Sequence, residues 1–304
     1  MTAAYARRAP FGLYVKLVLV AALWGGMYSA GRIVAQLLPH FTTATLRFAV
    51  ASTILLALAF AREGGLPRLD RRRLATMLVL GFTGVFLFNA FFFAALERIE
   101  AGRGALIMAL TPATTAVGAR LAFGERLGSA HWLGIAVALG GAGVVITRGE
   151  PAGIFAGAVS VGDLMMFGAA LCWVAYTLLG RSVLRGMSPL GATTWAALFG
   201  TAMLAACAAF EQPWATITAL SAKGWWAVAY LGSFGTVFTF LWYYQGVQRL
   251  GPSRAAIFTN FVPVFGVAIA AALLGEPILA SMIVGGVLVI AGVALTNRPR
   301  AAAL

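Results

Sequence analysis

Apolar positions run in long uninterrupted stretches along this chain, with no alternation of apolar and polar residues. The stretches cover residues 13–31, 41–61, 74–96, 102–123, 130–147, 161–180, 189–210, 223–246, 253–274 and 279–296, and the short separators hold nearly all the charge. About 20 apolar residues in a helix cross the ~30 Å hydrocarbon layer of a bilayer. Backbone amides in lipid must be satisfied within their own segment, so runs of this length and apolarity are helices. A membrane β-barrel would need alternating polarity, which is absent. The pattern predicts an all-α integral membrane protein of ten transmembrane helices.

Composition agrees and adds an orientation. Of 304 residues, 61 % are hydrophobic and 10 % charged, against about half and about a quarter in a soluble chain. The net charge is +13, from 22 Lys and Arg against 9 Asp and Glu. The basic residues sit in the separators, which points to membrane orientation and away from nucleic acid. With both termini cytoplasmic, the inner side holds 16 of the 22, the outer side holds Arg32, Arg98, Arg103, Arg148 and Lys223, and Arg47 lies within a span. That asymmetry predicts cytoplasmic termini. The first apolar run has no small-residue cleavage site closely after it and reads as a retained helix. Cys172 and Cys207 lie inside apolar runs without disulfide or metal spacing, so neither a metal nor a cofactor is expected. Usage rich in Ala and Arg suggests a bacterial inner membrane.

The two halves of the chain match. Gly81, Gly84, Arg98, Arg103, Pro112, Gly124, Glu125, Gly134 and Gly141 recur 151 positions later as Gly232, Gly235, Arg249, Arg254, Pro263, Gly275, Glu276, Gly285 and Gly292. Nearer the start the offset is 149, aligning Trp24 with Trp173, Gly31 with Gly180 and Arg32 with Arg181. Residues 1–150 and 151–304 thus read as two five-helix repeats. An odd number of spans inverts the second copy, which predicts Glu125 on the inner side and Glu276 on the outer side. Inverted repeats are a signature of alternating-access transport.

These residues also carry a family likeness. Leu23-Trp24-Gly25 in the first span, Arg47-Phe48 in the second, and Pro112, Gly124-Glu125, Gly134 and Gly141, repeated as Pro263, Gly275-Glu276, Gly285 and Gly292, resemble the EamA-type branch of the drug/metabolite transporter superfamily. The likeness covers nearly the whole chain. It implies ten helices and export of small metabolites, often amino acids or their derivatives, with the aromatic amino acid and paraquat exporters as plausible relatives. One departure stands out: the four-helix multidrug members use a carboxylate inside the first span, and Leu13 to Gly31 contains no Asp or Glu.

Candidate substrate-binding residues are the polar and aromatic intrusions into the spans. Arg47 costs roughly 2.5–3.5 kcal/mol at mid-membrane. It reads as a carboxylate anchor, or as a side chain that snorkels or bonds to helix ends. Trp24 and Trp173 occupy equivalent places, with Tyr28 and Tyr176 one turn on. Buried Trp and Tyr need partners that a wet cavity supplies, although plain packing is the other reading. Asn89, Asn260 and Tyr244, with Gln245 beside it, complete the set; amides in spans also serve as glue between helices. Pro112 and Pro263 break the fourth and ninth spans at matching depths and are candidate gating hinges. Ala130, Gly134, Ala138 and Ala142 form a small-residue stripe that would pack the fifth span on its own half or form a homodimer contact.

Together these features predict a secondary transporter that exports small amphipathic metabolites and has no catalytic residues. Its partners would be a small-molecule substrate and the lipid bilayer, with a homodimer as a further candidate and no nucleic acid. A small-drug or quaternary-cation exporter is the alternative, then a channel or lipid-handling protein. An intramembrane enzyme would want paired acids or His within reach, and His40 and His131 fall on loop sides at opposite faces.

Overall fold

The computed structural model describes residues 11–124, 127–150, 159–183, 187–250 and 252–296; the side chains of 181–183, 244, 247, 248 and 252–254 fall outside that description, as do Glu125 and Arg126. Every regular element among the described residues is helical. In chain order they are α1 (Phe11–Ala35), α2 (His40–Glu63), α3 (Arg71–Leu96), α4 (Ala101–Phe123), α5 (Ser129–Ile146), α6 (Val161–Val183), α7 (Pro189–Ala208), α8 (222–250), α9 (Pro252–Thr259 and Val262–Leu274) and α10 (Ala280–Thr296). Eight of the described helices are long and apolar enough to cross a membrane, and α10 is a shorter apolar helix. The chain is a multi-pass membrane protein. The aromatic-rich α8 is helical over its whole length but is not one of the eight.

Local chemistry sets the helix ends. Asp70 accepts from the Arg73 amide at 2.7 Å and opens α3, and Ser188 accepts from the Gly191 amide at 3.0 Å and opens α7, each satisfying one orphan N–H of a first turn. Gly124 and Gly275 close α4 and α9 with φ of +67° and +68°, a left-handed cap that glycine adopts without a Cβ clash. Pro112 and Pro263 each stand at the first turn of a restarted helix, Thr111–Phe123 and Val262–Leu274. There the missing N–H costs nothing, because first-turn amides have no intrahelical acceptor.

Two interruptions were not legible in the sequence. Residues Gly81–Leu87 of α3 and Ser233–Phe238 of α8 are π-helical. The extra residue per turn swings the following side chains around the helix axis. Such turns concentrate at functional sites.

Small residues decide which helices touch. A Cβ on Gly134 would meet Gly292 and Thr296, and one on Gly141 would meet Gly285 and Val289, so α5 and α10 run antiparallel in backbone contact. The stripe holding Gly134 and Ala138 therefore packs on the other half of the chain, an outcome neither of its two readings foresaw. Gly81 of α3 meets Ala196 and Phe199 of α7, and its counterpart Gly232 of α8 meets Arg47 and Val50 of α2. Ser52 and Thr201, one on each of α2 and α7, share a hydrogen bond of 3.0 Å.

Candidate functional site

Arg47 sits seven residues into α2 and is 4 % exposed. It neither snorkels nor bonds to a helix end. Its Nη1 donates to Asn89 Oδ1 at 3.0 Å and its Nη2 to Thr236 Oγ1 at 3.2 Å. Met27 Sδ lies 3.9 Å from Nη2, and the guanidinium carbon stands 5.3 Å from the Phe48 ring and 6.0 Å from the Phe93 ring. Nε is buried with no hydrogen-bond partner. Among the described residues Arg47 has no ion pair.

Both oxygens that hold Arg47 depend on the π turns. Thr236 lies inside the second one and donates to Leu231 O at 2.9 Å, five residues back. Asn89 follows the first and donates to Val85 O at 2.6 Å, which leaves its Oδ1 for the guanidinium. Arg47, Asn89, Thr236 and Met27 come from α2, α3, α8 and α1, so both halves of the chain build this polar pole.

An aromatic wall adjoins it. Tyr28 packs on Phe92 with centroids 5.5 Å apart, Phe92 on Phe88 at 5.5 Å, and Phe88 on Trp173 at 5.4 Å. Phe240 joins Trp173 at 6.2 Å to Trp24 at 6.0 Å, and Tyr243 flanks Trp24 at 5.4 Å. Tyr176 packs on Trp173 at 5.4 Å. The structure thus brings Trp24, Tyr28, Arg47, Asn89, Trp173 and Tyr176 into one contiguous group. Phe88, Phe240, Tyr243 and Thr236 belong to it and were missed. The repeat register held the signal for one of them, since Phe240 is the counterpart of Asn89 at the 151 offset. That register also separates Tyr28 from Tyr176. Gly84 faces Tyr176 whereas Gly235 faces Met27, so Met27 is the counterpart of Tyr176.

Asn260 stands apart. It falls at the break of α9, partly buried, and no hydrogen bond among the described residues joins its side chain to Arg47. The side chain of Tyr244 lies outside the described residues, as do Glu125 and the residues after Thr296.

Ion pairs gather at one end of the bundle. Glu276, just beyond α9, accepts from the Ala101 and Gly102 amides at 2.8 and 3.0 Å, which caps α4 across the two halves. The same carboxylate meets Arg32 Nε at 3.3 Å, and Arg32 also donates to Ile99 O. Asp163 of α6, 2 % exposed, takes Arg103 in a two-pronged bridge with both bonds at 2.6 Å. Glu211 accepts from the Thr42 amide and hydroxyl, each at 2.7 Å. Carboxylates of the second half here grip helix starts and arginines of the first. Anions belong at helix N-termini, where unpaired N–H groups and the helix dipole favour negative charge. At this end Gly102 meets Val267, and Gly266 meets Ala105. The matching segments at the other end, Pro252–Thr259 and Thr111–Phe123, make little contact among the described residues.

Neither cysteine is paired, and no metal-holding cluster of His, Cys, Asp or Glu occurs among the described residues. The arrangement sets a buried cation with neutral polar neighbours beside an aromatic wall.

Comparison with known proteins finds relatives over nearly the whole chain. A solved crystal structure superposes with a TM-score of 0.66 over 95 % of this chain and 98 % of the other, at 20 % identity, and so shares the fold. The uncharacterized transporter YyaM of Bacillus subtilis is 32 % identical over 92 % of each chain. The uncharacterized inner membrane transporter YedA of Escherichia coli is 28 % identical over 87 % of this chain and 83 % of its own. The pattern of the EamA-like transporter family matches twice in succession, over residues 12–147 and 160–298, and the chain belongs to that family.

Proposed function

We propose that this protein is an inner-membrane secondary transporter that exports small amphipathic metabolites, amino acids or their derivatives foremost, without catalysing a reaction. The observation that carries the proposal is the buried Arg47, short of a partner, set against an aromatic wall at the junction of both halves. Burying a cation without a carboxylate costs roughly several kcal/mol, and a bound anionic group offsets that cost.

Alternating access follows from two five-helix units, residues 1–150 and 151–304, inverted relative to each other. Support comes from the antiparallel α5 and α10 with reciprocal glycine contacts, from the matched π turns, and from the matched breaks before Pro112 and Pro263. With both termini cytoplasmic, the ion-paired end is the outer gate and is closed, so the state described here faces the cytoplasm. Rocking about the breaks of α4 and α9 releases Glu276, Asp163 and Glu211 and opens the outer side.

Two measurements test this. Cysteines placed at Glu125 and Glu276 should label from opposite sides of the membrane; labelling from one side ends the inverted arrangement. Purified protein in liposomes should show saturable counterflow of small aromatic metabolites. Linear, unsaturable flux would indicate a channel.

A further inference from the structure

We infer that the ligand is an aromatic or apolar monocarboxylate whose nitrogen, where it has one, carries no positive charge. An N-acylated amino acid, a 2-oxo acid or an arylalkanoic acid meets this description; a free amino acid or an organic cation does not. The inference rests on the transport reading above and narrows it.

The first argument is an internal comparison of two arginines. Arg103 uses Nε and Nη2 together to hold both oxygens of Asp163. That edge of a guanidinium matches a carboxylate bidentately. In Arg47 the Nε of the same edge is buried and has no partner, while Nη2 has only a hydroxyl and a thioether. A ligand carboxylate can take this edge as Asp163 takes the other.

The second argument is charge balance. The chain has nine Asp and Glu. The eight that are described all lie at helix ends or just beyond, as Glu276 and Asp163 do, and none reaches the polar pole. A monoanion brings Arg47 to neutrality. A zwitterion does not, because its ammonium is bonded one carbon from its carboxylate. It would be carried to within a few ångströms of the guanidinium, at low dielectric, with like charge repelling. The nearest oxygens, Asn89 Oδ1 and Thr236 Oγ1, already accept from Arg47.

The third argument is shape. The Phe93 ring stands 6.0 Å from the Arg47 guanidinium and packs on Phe92 of the wall at 5.3 Å, so the carboxylate and ring sites adjoin across a single side chain. That spacing suits a short side chain between an acid and a ring.

The test is competition in liposomes carrying the full-length protein, with N-acetyl-tryptophan in counterflow against tryptophan, tryptamine and N-acetyl-tryptophanamide. N-acetyl-tryptophan is expected to compete about tenfold better than tryptophan or the amide, with tryptamine inert. Arg47→Met should bring acid and amide to within about twofold of each other. Arg47→Gln, a shorter and neutral polar side chain, should do the same if the Met variant fails to fold. Tryptophan or tryptamine competing as well as the acid overturns the inference and leaves the transporter reading standing. So does an acid preference that survives the loss of Arg47. No saturable flux of any probe removes both.

Discussion

Arg47, Asn89 and Thr236 have counterparts in the opposite repeat, and these are Ala196, Phe240 and Val85. The backbone treats the two sets alike. Gly232 is pressed against Arg47 and Val50 as Gly81 is against Ala196 and Phe199, and a π turn adjoins each set. The side chains differ completely, with a cation and two hydrogen-bonding groups on one side and a methyl, a ring and a branched aliphatic on the other. Symmetry therefore governs the backbone, and its local violation gathers the polar side chains. Arg47 and Asn89 of the first half meet Thr236 of the second in a polar pole, and Phe240, one turn on from Thr236, enters the aromatic wall between Trp24 and Trp173.

The bundle ends show the same contrast. Asp163 and Glu211 hold the ion-paired end, and at the 149 offset their counterparts are Tyr14 and Arg62. Neither counterpart is an acid, so the two ends of the bundle differ in chemistry.

Experiments can break this comparison in order of expected effect. Trp173→Ala and Tyr28→Ala should each abolish export while the protein still reaches the membrane, a loss of about 100-fold or more, because each opens the wall beside the pole. Unchanged flux in both variants removes the wall as a binding surface. Ala196→Arg places a second charge where Val85 and Phe240 offer it nothing; at 1 % exposure it should cost roughly 3–5 kcal/mol, read as loss of folded protein by denaturation in detergent. A well-folded variant would show that the asymmetry of the two sets is incidental.

Asp163→Asn leaves Arg103 without its carboxylate and should destabilise the protein by ~3 kcal/mol in the same assay. Glu276→Gln loses the Arg32 pair and weakens the α4 cap, shifting the gate by ~1–2 kcal/mol toward the open state. A cysteine at Ala105 should then react about tenfold faster with an impermeant reagent on the outer side. Unchanged reactivity would separate Glu276 from gating. The smallest effect belongs to Ser52→Ala on the α2–α7 contact, ~1 kcal/mol from one hydrogen bond and no change in flux.

How much was legible varies by residue. Apolar runs located the helices because lipid leaves a backbone no alternative. Gly124 and Gly275 marked helix ends through their dihedral freedom, and Pro112 and Pro263 marked the breaks. Arg47 stood out because a charge in a span is rare and costly. Its partners were harder to find. Asn89 was singled out as polar, but Thr236 looked ordinary, since a threonine can satisfy itself on its own helix. The π turns left no trace because they depend on packing, as where Gly81 meets α7 and Gly232 meets α2. Glu276 stood out only as the repeat counterpart of Glu125, and nothing local told that it caps α4 across the two halves.

By itself the sequence determined that the chain lies in a membrane, where its helices start and stop, and that its halves share one pattern, because each of these follows from local polarity or from residue identity at a fixed offset. Only the tertiary structure decided that Arg47 meets Asn89 and Thr236 and not a carboxylate, that Phe240 joins the two tryptophans, and that acids from one half grip the other at the ion-paired end. These are contacts between segments some 40 to 190 residues apart. Which side chains meet at such separations depends on how helices cross and rotate, and that is set by the close approach of small residues on several helices at once.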